Sequence, residues 1–270
     1  MLTPRLNRTV LFSLCVTAVA LVVVACYTVP ETGRRAFIAV DSASEVKLGF
    51  DAFQELKQKE KVSTDPKANE MVQRVGKRIA AVAQLPNAQW EFVVFESPEQ
   101  NAFCLPGGKV GVYTGILPVC QDDAGLATVL GHEVSHAVAR HGAERMTDQL
   151  LVQAGGAALS QVMKDRPQQA QELAVMAYGA GTTVGAVLPH SRLQETEADH
   201  IGIIYMAKAG YDPSAAVAFW QRFAAAHKGA SRPPVFLSTH PVDETRIANL
   251  KKWLPEAMPV YEKTKASGHK

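Results

Sequence analysis

The sequence predicts a mainly helical α+β fold with a small β-sheet. Helix-forming stretches with apolar residues at helical spacing fill most of the chain after residue 41, only two neighbouring stretches have strand character, and no internal repeat recurs. A chain of 270 residues, 47% apolar and 20% charged, can bury one substantial core, so a single folded domain with appendages is expected. The formal charge of +2 comes from scattered basic residues, which argues against nucleic acid as a partner.

The first 26 residues stand apart. Arg5 and Arg8 precede a charge-free run from Val10 to Ala25 that leads into Cys26, the layout of a secretory signal. Val23-Val24-Ala25-Cys26 resembles a bacterial lipobox, which would make residues 1–25 a lipoprotein signal peptide and Cys26 the lipid attachment site. An uncleaved anchor is the competing reading, but the run is shorter than the roughly 20 residues a spanning helix needs. Both place the bulk of the chain outside the cytoplasm. Tyr27, standing where inner-membrane retention would favour aspartate, resembles lipoproteins sorted to the outer membrane of a Gram-negative bacterium, facing the periplasm. Residues 26–41, with Pro30, Gly33, Arg34 and Arg35 and little apolar periodicity, read as a lipid anchor and tether. Once Cys15 leaves and Cys26 carries lipid, Cys104 and Cys120 remain; the compartment permits a bond between them, and we take them as separate buried thiols.

The domain proper is expected over residues 42–256, followed by a flexible tail, 257–270. Val46, Leu48, Phe50, Phe53 and Leu56, mostly at helical spacing, set one helix over 42–61, and a second should run over 66–83 behind the Thr64-Asp65 cap. The aromatic and β-branched stretch 90–95 and the alternating stretch 109–114 read as strands around the loop 97–108. A buried helix is expected over 122–140. The Ala- and Gly-rich region 146–188, broken at Lys164-Asp165-Arg166-Pro167, reads as a helical hairpin closely packed through small residues; its longest charge-free run, 173–189, is too short to span a membrane. A helix over 191–209 should stop at Gly210, and Pro213 should open another that ends near His227. Ser238-Thr239-His240-Pro241 then leads into a short helix ending near Trp253.

The chemistry sits on the helix 122–140. Residues four apart share a helix face, so His132 and His136 can aim their imidazoles at one metal ion while Glu133 projects toward the attacking water. This is the HExxH arrangement of zincins. Zinc accepts two imidazoles and a carboxylate with one position left open for catalysis. The flanks Val129-Leu130-Gly131 and Ala137-Val138-Ala139 bury this helix, and two lone imidazoles there would need partners. Ala139 and Gly142 stand where a metzincin would have glycine and histidine, which excludes that class, and His141 is out of register, read as a helix-end histidine bonding a carbonyl or another side chain. In Ser191 to Asp199, Glu195 and Asp199 share a face: Glu195 is the third-ligand candidate, Asp199 the acceptor for a ligand histidine's spare N–H, and Glu197 a solvated surface charge. A wet helix pairing Glu195 and Asp199 with Arg192 is the competing reading.

These residues resemble the M forty-eight metallopeptidases, with the short LoiP-type periplasmic lipoprotein proteases the nearest likeness and the HtpX and prenyl-protein endopeptidases in the same family. The resemblance covers most of the mature chain. It rests on Thr32-Gly33-Arg34-Arg35, Asn101 to Gly108, Val129 to Gly142, Ser191 to Asp199, and Ser238-Thr239-His240-Pro241 with Arg246. It implies a gluzincin fold, one catalytic zinc on His132, His136 and Glu195, and His240 and Arg246 near the cleft as donors to the oxyanion, with helix capping the competing reading of His240. Asn101 and the strand 110–113 would offer an edge for an extended peptide. The function this implies is an endopeptidase acting on misfolded or unassembled envelope proteins, held to the membrane by lipid and associated with outer-membrane assembly or quality-control factors. The alternative is a zinc-containing chaperone or assembly lipoprotein. Glu133 favours the enzyme, because a structural zinc site needs no base.

Overall fold

The computed structural model describes residues 26–227, 234–241 and 244–268; the run 10–25, with the signal and anchor readings placed on it, lies outside them. Cys26–Thr28 (β1) and Arg35–Phe37 (β2) pair as an antiparallel hairpin. This corrects the tether expected over 26–41. Val29, Ala36 and Ile38 are buried, Tyr27 donates to the Val138 carbonyl at 2.7 Å, and the Ala39 N–H donates to Thr147 at 3.0 Å. Strands of three residues are too short to leave an alternating pattern.

The helices α1 (Ser42–Lys59) and α2 (Pro66–Val82) start where expected, each behind an aspartate cap, of which only Asp65 was read from sequence: Asp41 accepts from the Ser44 N–H and Asp65 from the Lys67 N–H, each at 2.9 Å. The sheet has three strands rather than two. Between β3 (Glu91–Phe95) and β5 (Lys109–Tyr113) the expected loop contains β4 (Ala102–Leu105), and the order is β3-β5-β4, with β5 parallel to β3 and antiparallel to β4. The strand 110–113 is therefore central and cannot be the peptide edge expected from sequence. Among the described residues that edge belongs to β4.

A single turn, α3 (Leu117–Cys120), leads to α4 (Asp123–Val138), whose cap Asp122 accepts from the Gly125 N–H at 2.8 Å. Every residue of α4 from Gly125 onward is buried, as the apolar flanks of the histidines require. Arg140, with φ 56°, turns the chain out of α4 and into α5 (His141–Met163). Then come α6 (Gln168–Thr182), one π turn over Thr183–Val187, and α7 (Leu188–Lys208). Gly210, at φ 76°, ends α7: its N–H reaches the Ala207 carbonyl and that of Tyr211 the Met206 carbonyl, which closes a Schellman turn. The remaining helices are α8 (Ser214–Ala226), α9 (Val235–Thr239) and α10 (Glu244–Ala266). The tail expected over 257–270 is helical to Ala266, with Ala257 buried and Val260 and Tyr261 packed on the core.

One core joins α2, the sheet, α4, α7 and α8 through Val75, Val110, Leu130, Ile201 and Trp220. The hairpin of α5 and α6 packs through small residues as expected: a side chain at Gly155 would meet the Tyr178 hydroxyl at 2.1 Å. Its outer faces do not join the core, since α6 buries no residue and Leu150, Val162, Leu173 and Met176 are exposed. No helix among the described residues is long and apolar enough to cross a membrane.

Candidate metal centre

The site is built where α4 crosses α7. Gly131 lies against Gly202, and a Cβ at Gly131 would stand 2.9 Å from the Gly202 carbonyl, so the backbones approach as only glycines permit. That approach brings Glu195 and Asp199 of α7 over His132 and His136 of α4. His132 Nε2 and His136 Nε2 lie 3.1 Å apart, and each is 3.3 Å from a different oxygen of Glu195. His240, one residue beyond α9, places Nδ1 at 2.8 Å from Glu195 Oε2 and 3.1 Å from His132 Nε2. Candidate ligand atoms of the four residues lie within 4.8 Å of one another. Glu133 is buried beside them, its Oε1 3.4 Å from His240 Nε2 and without a hydrogen-bond donor among the described residues.

Behind the donors, Asp199 Oδ1 accepts from His132 Nδ1 at 2.9 Å and from Arg246 Nη2 at 2.7 Å. Arg246 Nη2 also lies 3.2 Å from His132 Nδ1, but its shorter bond is to the carboxylate. Arg246 was expected near the cleft as an oxyanion donor. Instead it is buried, stacked 3.5 Å over Trp220 and donating to the Pro241 carbonyl, so it anchors Asp199. Glu197 is the second correction. Expected as a solvated charge, it is buried and bonded to His141, Arg34 and Thr32. His141 takes the side-chain partner left open for it, with Nδ1 2.9 Å from His136 Nδ1. Helical register could not show this because the left-handed Arg140 breaks α4 and returns His141 toward His136. The available signal was Thr32-Gly33-Arg34-Arg35, a mark of the family resemblance to which no partner was assigned.

The electrostatics suit a cation. Burial would lower His132, but its bonds to Asp199 and Glu195 raise it to about 9. Burial opposes the charge of Glu195, yet three imidazoles hold it far below the usual carboxylate range. Burial drives His136 well below its ordinary value. Glu133 is raised by burial and drawn back by His240 and His132. The donor set also passes a direct test of fit. With Nδ1 of His132 donating to a carboxylate, its Nε2 faces inward, 3.1 Å from the His136 nitrogen and 3.3 Å from an anionic oxygen, and a metal ion there would take the place of the proton that the raised His132 otherwise holds. Such an arrangement is repulsive unless a positive charge is shared among the donors, and zinc accepts this N, N, O chemistry. The cleft at Glu133, His136 and Glu195 is lined by Asn101 and β4 and by Val235, Thr239 and His240.

Helix-borne HExxH, a carboxylate supplied from a second helix, the buried Glu133 beside the donors and a strand edge along the cleft define a zincin-type metallopeptidase domain. The model of Peptidase family M48 matches residues 66–254, and the chain belongs to that family, whose members are zinc metallopeptidases. Among curated relatives, the mitochondrial metalloendopeptidase OMA1 of Schizosaccharomyces pombe is 39% identical over 232 residues, 85% of this chain and 66% of that protein. OMA1 of Saccharomyces cerevisiae is 38% identical over 195 residues, 68% of this chain and 52% of the relative. The beta-barrel assembly-enhancing protease of Escherichia coli is 28% identical over 236 residues, 86% of this chain and 48% of the relative. The chain thus spans about half to two thirds of the length of these relatives.

Proposed function

We propose that this chain is a zinc-dependent endopeptidase of the cell envelope that cleaves misfolded or unassembled proteins, with His132, His136 and Glu195 holding the metal and Glu133 as the base. The observation that carries the reading is the placement of Glu133, buried beside the donor cluster and at the cleft walled by β4. Zinc, when bound, polarises a scissile carbonyl and acidifies water. Glu133 takes the water's proton and passes it to the leaving amine. Asp199 fixes the His132 tautomer and is itself fixed by Arg246. The unpaired edge of β4, an outer strand of the sheet among the described residues, takes an extended peptide as an added strand. A catalytic site keeps one position open, so His240, carried beyond a five-residue helix rather than on α4 or α7, is the donor that serves the oxyanion instead of the metal.

The envelope assignment rests on the signal-like run before Cys26 and on the relatives named for β-barrel assembly; those named mitochondrial support the chemistry without the compartment. Cys26 is exposed at the start of β1, as a lipid attachment site must be, which supports anchoring through lipid at the outer membrane and contact with assembly or quality-control factors there. The competing class is a zinc-containing chaperone. The two separate on the full chain with casein as substrate and a thermally aggregating protein as client. An endopeptidase loses casein cleavage by about 10²–10⁴-fold in Glu133→Gln. Undiminished protection of the client by that variant, with no cleavage by the wild type, would establish the chaperone instead.

A further inference from the structure

His132 and His136 are supported in different ways. His132 gives Nδ1 directly to Asp199, whereas Nδ1 of His136 meets the ring of His141 at 2.9 Å and, among the described residues, no carboxylate. His141 is fully buried, and its other nitrogen lies 3.0 Å from Glu197 Oε2. The same carboxylate accepts from Arg34 Nε at 2.7 Å and from the Thr32 hydroxyl. The guanidinium of Arg34 then closes on Glu144 with two bonds, 2.7 and 3.0 Å.

The proton positions follow from the donor inventory. A carboxylate only accepts, so the His141 nitrogen facing Glu197 carries the hydrogen. Neutral His141 then has a bare Nδ1, which must accept from His136 Nδ1–H. That leaves His136 Nε2 as a lone pair aimed at Glu195 and His132.

We propose that His141 and Glu197, backed by Arg34 and Thr32, are positioning residues for the metal: a carboxylate–imidazole relay that fixes the tautomer and ring plane of His136. The inference rests on the zinc reading above and deepens it. It makes the turn between β1 and β2 a structural part of the metal site, since Thr32 and Arg34 both sit there. The two ligand histidines then have parallel supports, His132 through Asp199 to Arg246 and His136 through His141 and Glu197 to Arg34. Partners of this kind set ligand orientation, and their loss costs about 10- to 100-fold in metal affinity.

The test uses the full chain, with zinc and cobalt(II) as probes. Zinc affinity is measured by competition with a chelator, the cobalt ligand-field spectrum is recorded, and thermal unfolding is followed with and without metal. His141→Phe removes both bonds of the relay and should weaken zinc about 10- to 100-fold and shift the cobalt bands. His141→Gln, whose amide oxygen and nitrogen can take up the two bonds, should recover most of that loss. Both changes should shrink the zinc-induced rise in Tm, whereas a merely structural role would lower the metal-free Tm and leave that rise intact. Should His141→Phe fail to fold, Thr32→Val, which removes one bond at Glu197's end of the relay, should show a smaller weakening of the same sign. Wild-type zinc affinity and cobalt spectra in the folded variants would overturn the relay alone; a wild-type chain without zinc would strike the metal reading beneath it.

Discussion

At the scale of single residues, the site divides into atoms that face the cleft and atoms that hold those in place. His132, His136 and Glu133 were legible from spacing, because four residues is one helical turn and the apolar flanks told which way the face points. Glu195 and Asp199 were legible for the same reason. Glu197 was not: a carboxylate two residues from Glu195 reads as the solvent side of its helix, and only the return of the chain through Thr32 and Arg34 makes that side an interior. Arg246 was placed near the site by resemblance, but its task depends on Trp220 and Pro241, which no spacing rule connects to it. His240 is the residue whose role the geometry sharpens most, since it stands within reach of Glu195, His132 and Glu133 together. As an oxyanion donor it should be dispensable for zinc and needed for turnover. His240→Ala is therefore expected to keep zinc and to lose roughly 10²-fold in kcat on casein. Faster cleavage by that variant would show that His240 obstructs the site.

At the scale of elements, the metal centre is a consequence of how closely α4 and α7 approach. The helices α1, α2 and α4 could be read from sequence because each carries several turns of helix-forming, apolar sequence, and for α2 the cap at Asp65 could be read as well. The three-residue strands and β4 could not, since a segment that short has no period, and the strand order was invisible because β5 pairs with one neighbour in parallel and the other antiparallel. The small-residue crossing of Gly131 on Gly202 is the element-level feature most exposed to a test. In Gly131→Ala the new methyl would meet the Gly202 carbonyl at 2.9 Å, closer than ordinary contact, and must push α7 outward. The expected result is a loss of about 1–3 kcal/mol in stability together with weaker zinc binding, because Glu195 rides on the displaced helix. Calorimetry and a zinc titration on the same sample check it; a stability loss without any change in zinc affinity would uncouple the crossing from the site.

At the scale of the whole molecule, the N-terminal hairpin, α5 and α7 are tied together by one buried carboxylate. Glu144 accepts from Arg34 and Gln194 and lies 3.0 Å from His190 Nε2. Burial would raise this group, but Arg34 and Gln194 hold its carboxyl below the usual 4.5. A depressed folded value means that the contribution to stability is complete above about pH 4.5 and is lost as the pH falls through the folded value. Glu144→Gln should therefore lower Tm at pH 7 and flatten the decline of Tm below pH 4.5; curves that run parallel to the wild type would refute the tie. The projecting α5–α6 hairpin shows where a resemblance and a composition stop short: small residues predicted its inner packing, while the exposure of Leu173 and Met176 emerged only when the core closed without them. Likewise, the apparent tether and tail became folded parts because their few apolar residues, Val29 and Ala257 among them, find the core across long sequence separations.

The most direct test of the central claim is zinc stoichiometry by elemental analysis of the full chain, wild type beside Glu195→Ala, after dialysis against a weak chelator. One zinc per wild-type chain and little in Glu195→Ala is the predicted result. Equal zinc in both would contradict the assignment of Glu195 as the third ligand, and no zinc in the wild type would contradict the metal centre itself.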